Sequence, residues 1–158
     1  MLQTLTASLE NYLEAILADV RKEGHAHATE IAKRLDVSKA SVTGALRKLA
    51  DRKLINYKPY GVITFTEAGR EAAEKVRARH DLLKRFLTEI LGIETGVAEE
   101  NACRMEHAMS QDVLDRMATY VEFVESCPVQ ACTWQSDEGA FCGKQAQKTS
   151  CQRRLQAT

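Results

Sequence analysis

Near residue 53 the hydrophobic period of this chain changes from that of helices to that of strands, and few small folds accommodate such a change. From Thr29, a candidate N-cap, Ile31, Ala32 and Leu35 fall on one face of a short helix. Asp36-Val37 makes a tight turn, and Ser38 supplies a second N-cap. Val42, Leu46 and Leu49, spaced i, i+4, i+7, then give the buried stripe of a helix reaching about Arg52. Beyond Lys53, residues 54–57 and 62–65 read as strands around a Pro59-Tyr60-Gly61 turn. Two short helices followed by a hairpin predict a winged helix-turn-helix.

Helical spacing governs the rest. Leu9, Leu13, Ile16, Leu17 and Val20 predict an amphipathic helix over 7–23, ended by Gly24. Thr66 caps a long helix whose stripe of Val76, His80, Leu83, Leu87 and Ile90 runs to Gly92. Helices over 97–109 and 111–125 follow, the second with Val113, Met117, Tyr120, Val121 and Val124 on one face and Pro128 closing it. The 158 residues, 44% hydrophobic, can fill a compact core but are too few for a large α/β barrel. No apolar run is long enough to span a bilayer and residues 1–9 lack a leader pattern, so a cytoplasmic chain making no membrane contact is expected.

The 22 basic and 22 acidic side chains cancel overall but are sorted along the chain. From His25 to Thr66 eight bases face three acids, a net charge of +5; from Phe86 to Ser126 two bases face nine acids, a net charge of −7. Such a division suits a polyanion at one end and cations at the other. On the helix after Ser38, the face opposite its apolar stripe carries Ala40, Thr43, Gly44 and Arg47, flanked by Lys39, Ser41 and Lys48. Small Ala40 and Gly44 let the backbone approach base edges, and Arg47 can pair with guanine or phosphate. Lys33, Arg34, Lys39, Lys48 and Lys58 would neutralise backbone phosphates of double-stranded DNA. Any soluble helix turns charge outward, so the winged arrangement and the local charge together carry this reading.

In the acidic half, Cys103, Glu106 and His107 are spaced i, i+3, i+4, with Glu99 on the same predicted side and Ala98, Ala102, Met105 and Met109 opposite. A thiolate, a carboxylate and an imidazole suit Fe(II), Zn(II) or Co(II) better than Mg(II) or Ca(II). The same residues could form a solvated acidic helix with a half-buried thiol. Asn11 and Glu14 lie opposite the first helix's stripe, as on any wet face, and His80 lies on an apolar stripe, as a core histidine would. His25 and His27 read as solvent-exposed.

Four stretches resemble the diphtheria toxin repressor family of iron- and manganese-dependent transcriptional repressors. They are 9–16 (LENYLEAI), 66–69 (TEAG), 79–83 (RHDLL) and above all 102–110 (ACRMEHAMS). The resemblance covers about residues 5–124. It implies a mainly α homodimer with a winged helix-turn-helix DNA-binding domain over 1–70 and a helical metal-binding and dimerisation domain over 71–126. A Cys-rich tail over 127–158 follows, without the SH3-like domain of longer members. Metal would set two reading heads at the spacing of a palindromic operator. By resemblance Cys103, Glu106 and His107 match central ligands, Glu14 and His80 match ligands of manganese-type members, and Ala40 and Gly44 fall at base-contacting positions. Asn11 stands where iron-type members carry Met and manganese-type members Asp, and Lys84 replaces an ancillary acid.

The expected function is a metal-activated repressor controlling metal-ion homeostasis. Fe(II) is the expected effector because the thiolate is softer than Mn(II) requires. A manganese-responsive repressor, a metal-independent winged-helix regulator and a metallohydrolase are the other readings. The tail's Cys127, Cys132, Cys142 and Cys151 supply enough thiols for a second site holding zinc or an Fe–S cluster, but none of their spacings is a Cys-x2-Cys knuckle. Reversible disulfides and a passive tail are the other readings of these thiols.

Overall fold

A computed structural model describes residues 5–59 and 61–126; the cysteines at 127, 132, 142 and 151 lie outside the described residues. The chain divides into two compact units after Arg79. This division lies inside the continuous helix spanning residues 67–85, as does the boundary expected at residue 70.

The first unit begins with α1 (Ala7–Glu23), capped by the Thr6 hydroxyl, which accepts from Leu9 N, and ended by Gly24 at φ +80°, whose N–H donates to the Val20 carbonyl. The second helix, α2 (Ala28–Leu35), starts earlier than expected. Its cap is His27, which offers no side-chain bond, rather than Thr29. The reason is the preceding residue: Ala26 exchanges two backbone hydrogen bonds with Ile63 (2.9 and 2.8 Å), which fixes where the extended chain stops and the helix begins. Asp36, at φ 51°, makes the left-handed turn into α3 (Lys39–Asp51), where Ser38 Oγ accepts from Ser41 N at 3.1 Å.

The wing pairs β1 (Ile55–Asn56) with antiparallel β2 (Thr64–Phe65), Ile55 opposite Phe65 and Asn56 opposite Thr64. Its strands are shorter than the runs that predict them. Leu13, Ile16, Leu17, Ile31, Leu46, Leu49 and Ile63 are fully buried and join α1, α2, α3 and the wing in one core. This burial is the main stabilising term, on the order of 1.5–3 kcal/mol for each large side chain.

Thr66 starts α4 (Glu67–Arg85) and ties it to the wing: its N–H and hydroxyl both reach the Leu54 carbonyl, and the hydroxyl accepts from Gly69 N. Arg79 on α4 bonds Glu10 of α1 at 2.8 Å.

In the second unit the end of α4 widens into a π-helical turn (Phe86–Ile90), with Leu91 N donating to Phe86 O across five residues. After Gly92, at φ +67°, Glu94 caps α5 (Thr95–Met105), accepting from Gly96 N and Val97 N. These two N–H donors hold the Glu94 carboxyl below the usual carboxylate range. The last helix, α6 (Gln111–Ser126), follows a turn. Leu83, Leu87, Ala98, Ala102 and Leu114 form this unit's core. Among the described residues no helix is long and apolar enough to cross a membrane.

Candidate metal centre and nucleic-acid interface

On α3 the internal stripe of Val42, Leu46 and Leu49 is completely buried, which leaves Lys39, Ala40, Ser41, Gly44, Arg47 and Lys48 exposed. Ser38 spends its hydroxyl on the cap and on Ser41 Oγ (2.9 Å), and Thr43, half-buried, donates to the Lys39 carbonyl. Thr43 is therefore a less available groove contact than its neighbours. Lys58 is exposed in the wing, whereas Arg34 is paired with Asp19 and Lys33 with Glu30. A methyl group on Gly44 would meet nothing within 4 Å, so the position has no packing reason to be glycine.

The acidic cluster differs from the predicted arrangement. The α-helix ends at Met105, and Ala108 N and Met109 N both return to the Met105 carbonyl in a turn. Glu106 lies on the same stripe as Ala98 and Ala102, at i, i+4, i+8, and all three are 0% exposed. It was expected on the opposite side. Cys103, 100° away around the helix from Ala102, is exposed. His107, half-buried, follows the end of the helix, with Nε2 3.4 Å from Glu106 Oε1. Among the described residues no group of three ligand atoms within 4.8 Å of one another includes Cys103 or His107.

What the fold brings together instead is His80, Glu106 and Glu99. His80, 4% exposed on α4, places Nδ1 3.1 Å from Glu106 Oε2 and Nε2 3.0 Å from Glu99 Oε1. Lys84, one turn after His80, pairs with Glu99 Oε2 at 2.5 Å. The Lys84 ammonium, and behind it His80, hold the Glu99 carboxyl below the usual carboxylate range, against the opposing effect of partial burial. Sequence reasoning set Lys84 aside as a replaced acid; the i, i+4 spacing of His80 and Lys84 was the available signal that both could reach one acid. In the first unit, Asn11 and Glu14 are half-buried on α1.

Glu106 is the test of whether a cation fits. Its Oε1 is buried and receives no hydrogen bond. Fully buried carboxylates are expected to be paired or to coordinate metal. An oxygen awaiting a partner beside an imidazole is a donor set that a divalent first-row ion accepts.

Residues 4–63 match the iron dependent repressor N-terminal DNA binding domain, and residues 66–135 the metal binding and dimerisation domain of the same family. An HTH-type transcriptional regulator of Methanocaldococcus jannaschii is 38% identical over 119 residues, covering 75% of this chain and 95% of that protein. The chain belongs to the iron-dependent repressor family. The HTH-type transcriptional regulator MntR of Geobacillus kaustophilus is 33% identical over 124 residues, 76% of this chain and 84% of that one.

Among solved structures, a manganese-dependent transcriptional repressor in complex with manganese is similar at 27% identity and a TM-score of 0.66, covering 88% of this chain and 60% of that one. IdeR of T. acidophilum shares the fold at 24% identity and a TM-score of 0.66, covering 80% of this chain and 58% of that one. The chain thus spans about three fifths of these two solved proteins. The iron-dependent repressor family consists of DNA-binding, metal-dependent regulators, not enzymes, which removes the metallohydrolase reading.

Proposed function

We propose that this chain is a divalent-metal-activated repressor that binds a palindromic DNA operator as a homodimer and controls metal-ion homeostasis. The carrying observation is Glu106, a completely buried carboxylate with one oxygen unbonded and the other on His80. His80 and Glu106 would hold the ion with His107 beside them, and Glu14 and Asn11 of α1 are the further ligands that the family resemblance implies.

A bound ion supplies positive charge to the Glu106 carboxylate and a shared partner for ligands from both units. Because those ligands lie on separate units, their binding energy favours one arrangement of the two, and metal and DNA affinity must reinforce each other. On the DNA side, Ala40 and Gly44 admit the α3 backbone to the groove while Arg47, Lys39, Lys48 and Lys58 meet base edges or phosphates. The exposure of Val113, Tyr120 and Phe123 on α6 supports self-association through the dimerisation domain.

Fe(II) is the effector if the Cys103 thiolate joins the site. The exposure of Cys103, with oxygen and nitrogen as the buried donors, favours Mn(II) as the second reading.

The test is anaerobic fluorescence anisotropy on a duplex enriched from a random pool by the metal-loaded chain. Operator affinity should tighten about 5–150-fold on adding the effector, with the more effective of Fe(II) and Mn(II) identifying it. Glu106→Gln should abolish the response. A chelator-treated protein that binds as tightly as the loaded one refutes the proposal.

A further inference from the structure

Arg34 and Asp19 tie α2 to α1, and the two side chains are buried unequally. The Arg34 guanidinium donates to Asp19 Oδ1, and the Asp19 side chain is 11% exposed against 48% for Arg34. Asp19 Oδ2 is buried and receives no hydrogen bond. Among the described residues, Arg34 is the base that pairs with this carboxylate. An ionised carboxylate so enclosed needs its counter-charge. A DNA phosphate that drew Arg34 away would leave Asp19 buried and uncompensated. Lys33, one residue earlier, is held differently: its partner Glu30 lies on the same helix, and both side chains are more than half exposed. Such a pair contributes little and joins no two elements.

The place of Arg34 in α2 gives the tie a function. It stands two residues before Asp36, whose φ of 51° turns the chain toward α3, and Val37 N in that turn donates to the Ala32 carbonyl at 3.1 Å. The end of α2 is thereby fixed to α1 on one side and to the approach to α3 on the other. Resting on the DNA-binding reading above, we infer that Arg34 and Asp19 are a positioning pair for α3: Arg34 stays on Asp19 when the protein is on DNA and sets how α3 leaves the turn. The expectation that Arg34 neutralises a phosphate is replaced by this role. Asp19, an acid in a unit that binds a polyanion, is then required for tight binding.

The experiment uses the full chain, loaded with Mn(II) or, without oxygen, with Fe(II), whichever tightens binding more. Fluorescence anisotropy on the duplex enriched by the wild type is recorded over a series of salt concentrations, well below each variant's melting midpoint. A lost phosphate contact makes the slope of log affinity against log salt shallower by about 0.9. The double variant, Asp19→Ala with Arg34→Ala, strands no buried charge. It should weaken binding by one factor at every salt concentration and leave the slope unchanged. Asp19→Ala alone should also weaken binding, although loss of an acid would by charge alone favour a polyanion. In thermal unfolding Arg34→Ala should melt below both Asp19→Ala and the double variant, because it alone leaves the enclosed carboxylate without a partner.

A slope shallower by about 0.9 in the double variant would make Arg34 a phosphate contact. Wild-type affinity in the folded double variant, or tighter binding by Asp19→Ala, would confine the pair to stability. An Arg34→Ala protein that melts no lower than the double variant would remove Asp19 as the partner. Each of these results overturns the inference and leaves DNA binding by this unit intact; a loaded wild type that binds no duplex overturns the functional reading itself.

Discussion

Gly69 sits where α4 crosses the root of the wing, and adding one methyl there tests how the DNA-binding unit is held together. A Cβ on Gly69 would lie 1.7 Å from the Leu54 carbonyl oxygen, 2.5 Å from its carbon and 3.0 Å from Leu54 Cα. Carbon–oxygen contacts settle near about 3.3 Å, so helix and strand must part by about 1.6 Å. All three atoms are backbone, and no side-chain rotation relieves the clash.

The movement breaks the Thr66 N–H and hydroxyl bonds to Leu54 O, at 3.1 and 3.0 Å. Those are worth about 1 kcal/mol each, and overpacking adds about 1–3 kcal/mol. Alanine's better helix propensity returns about 1 kcal/mol. Gly69→Ala should therefore destabilise the first unit by about 2–4 kcal/mol, which at about 4–8 °C per kcal/mol for a unit of this size is on the order of 8–32 °C in melting temperature. Urea titration followed by far-ultraviolet circular dichroism on the whole chain measures it. A stability within about 0.5 kcal/mol of the wild type, the ordinary scatter of harmless surface changes, would refute the crossing as drawn.

Gly44→Ala should do the opposite, because its methyl meets open space in the middle of α3. A gain of about 1 kcal/mol in unfolding free energy is expected, with a loss of operator affinity; unchanged affinity would mean that the α3 backbone does not approach the bases at that point. Glu94→Gln should flatten the acid limb of the stability curve. The wild-type carboxyl is held below its ordinary value of 4.5 by Gly96 N and Val97 N, so its contribution is complete above that value and lost as the pH falls through the lowered one. Identical acid unfolding profiles for the two proteins would exclude the Glu94 cap as a source of stability.

Local chemistry made much of the first unit legible in the sequence. The α1 stripe, its Gly24 stop, the Ser38 cap and the apolar pattern of α3 are short-range signals, and the backbone follows each of them. The start of α2 was misread because a non-local pair, Ala26 with Ile63, outweighs the preference of Thr29 for a cap. The π-helical turn at Phe86–Ile90 has no mark in the apolar spacing.

At the metal centre, Glu106 was expected on the side opposite Ala98 and Ala102, although a helical rotation of about 100° per residue keeps it within about 80° of both. The observed register buries all three together and leaves Cys103 outside, a choice made by packing against Leu83, Leu87 and Leu114 rather than by propensity. Likewise, composition does not reveal that Glu99 is engaged by Lys84, because only tertiary placement sets which acid meets which base.

The bonds between Ala26 and Ile63 have a mechanical consequence. A hairpin of two-residue strands would be marginal by itself, but this one is stitched, just on the turn side of β2, to the joint between α1 and α2. A pull on the exposed end of the wing, where Lys58 and Val62 project, is delivered to the first turn of α2 rather than dissipated in a slack loop. Displacement of the wing and the position of the helix pair thus become one coordinate, so neither can shift without the other.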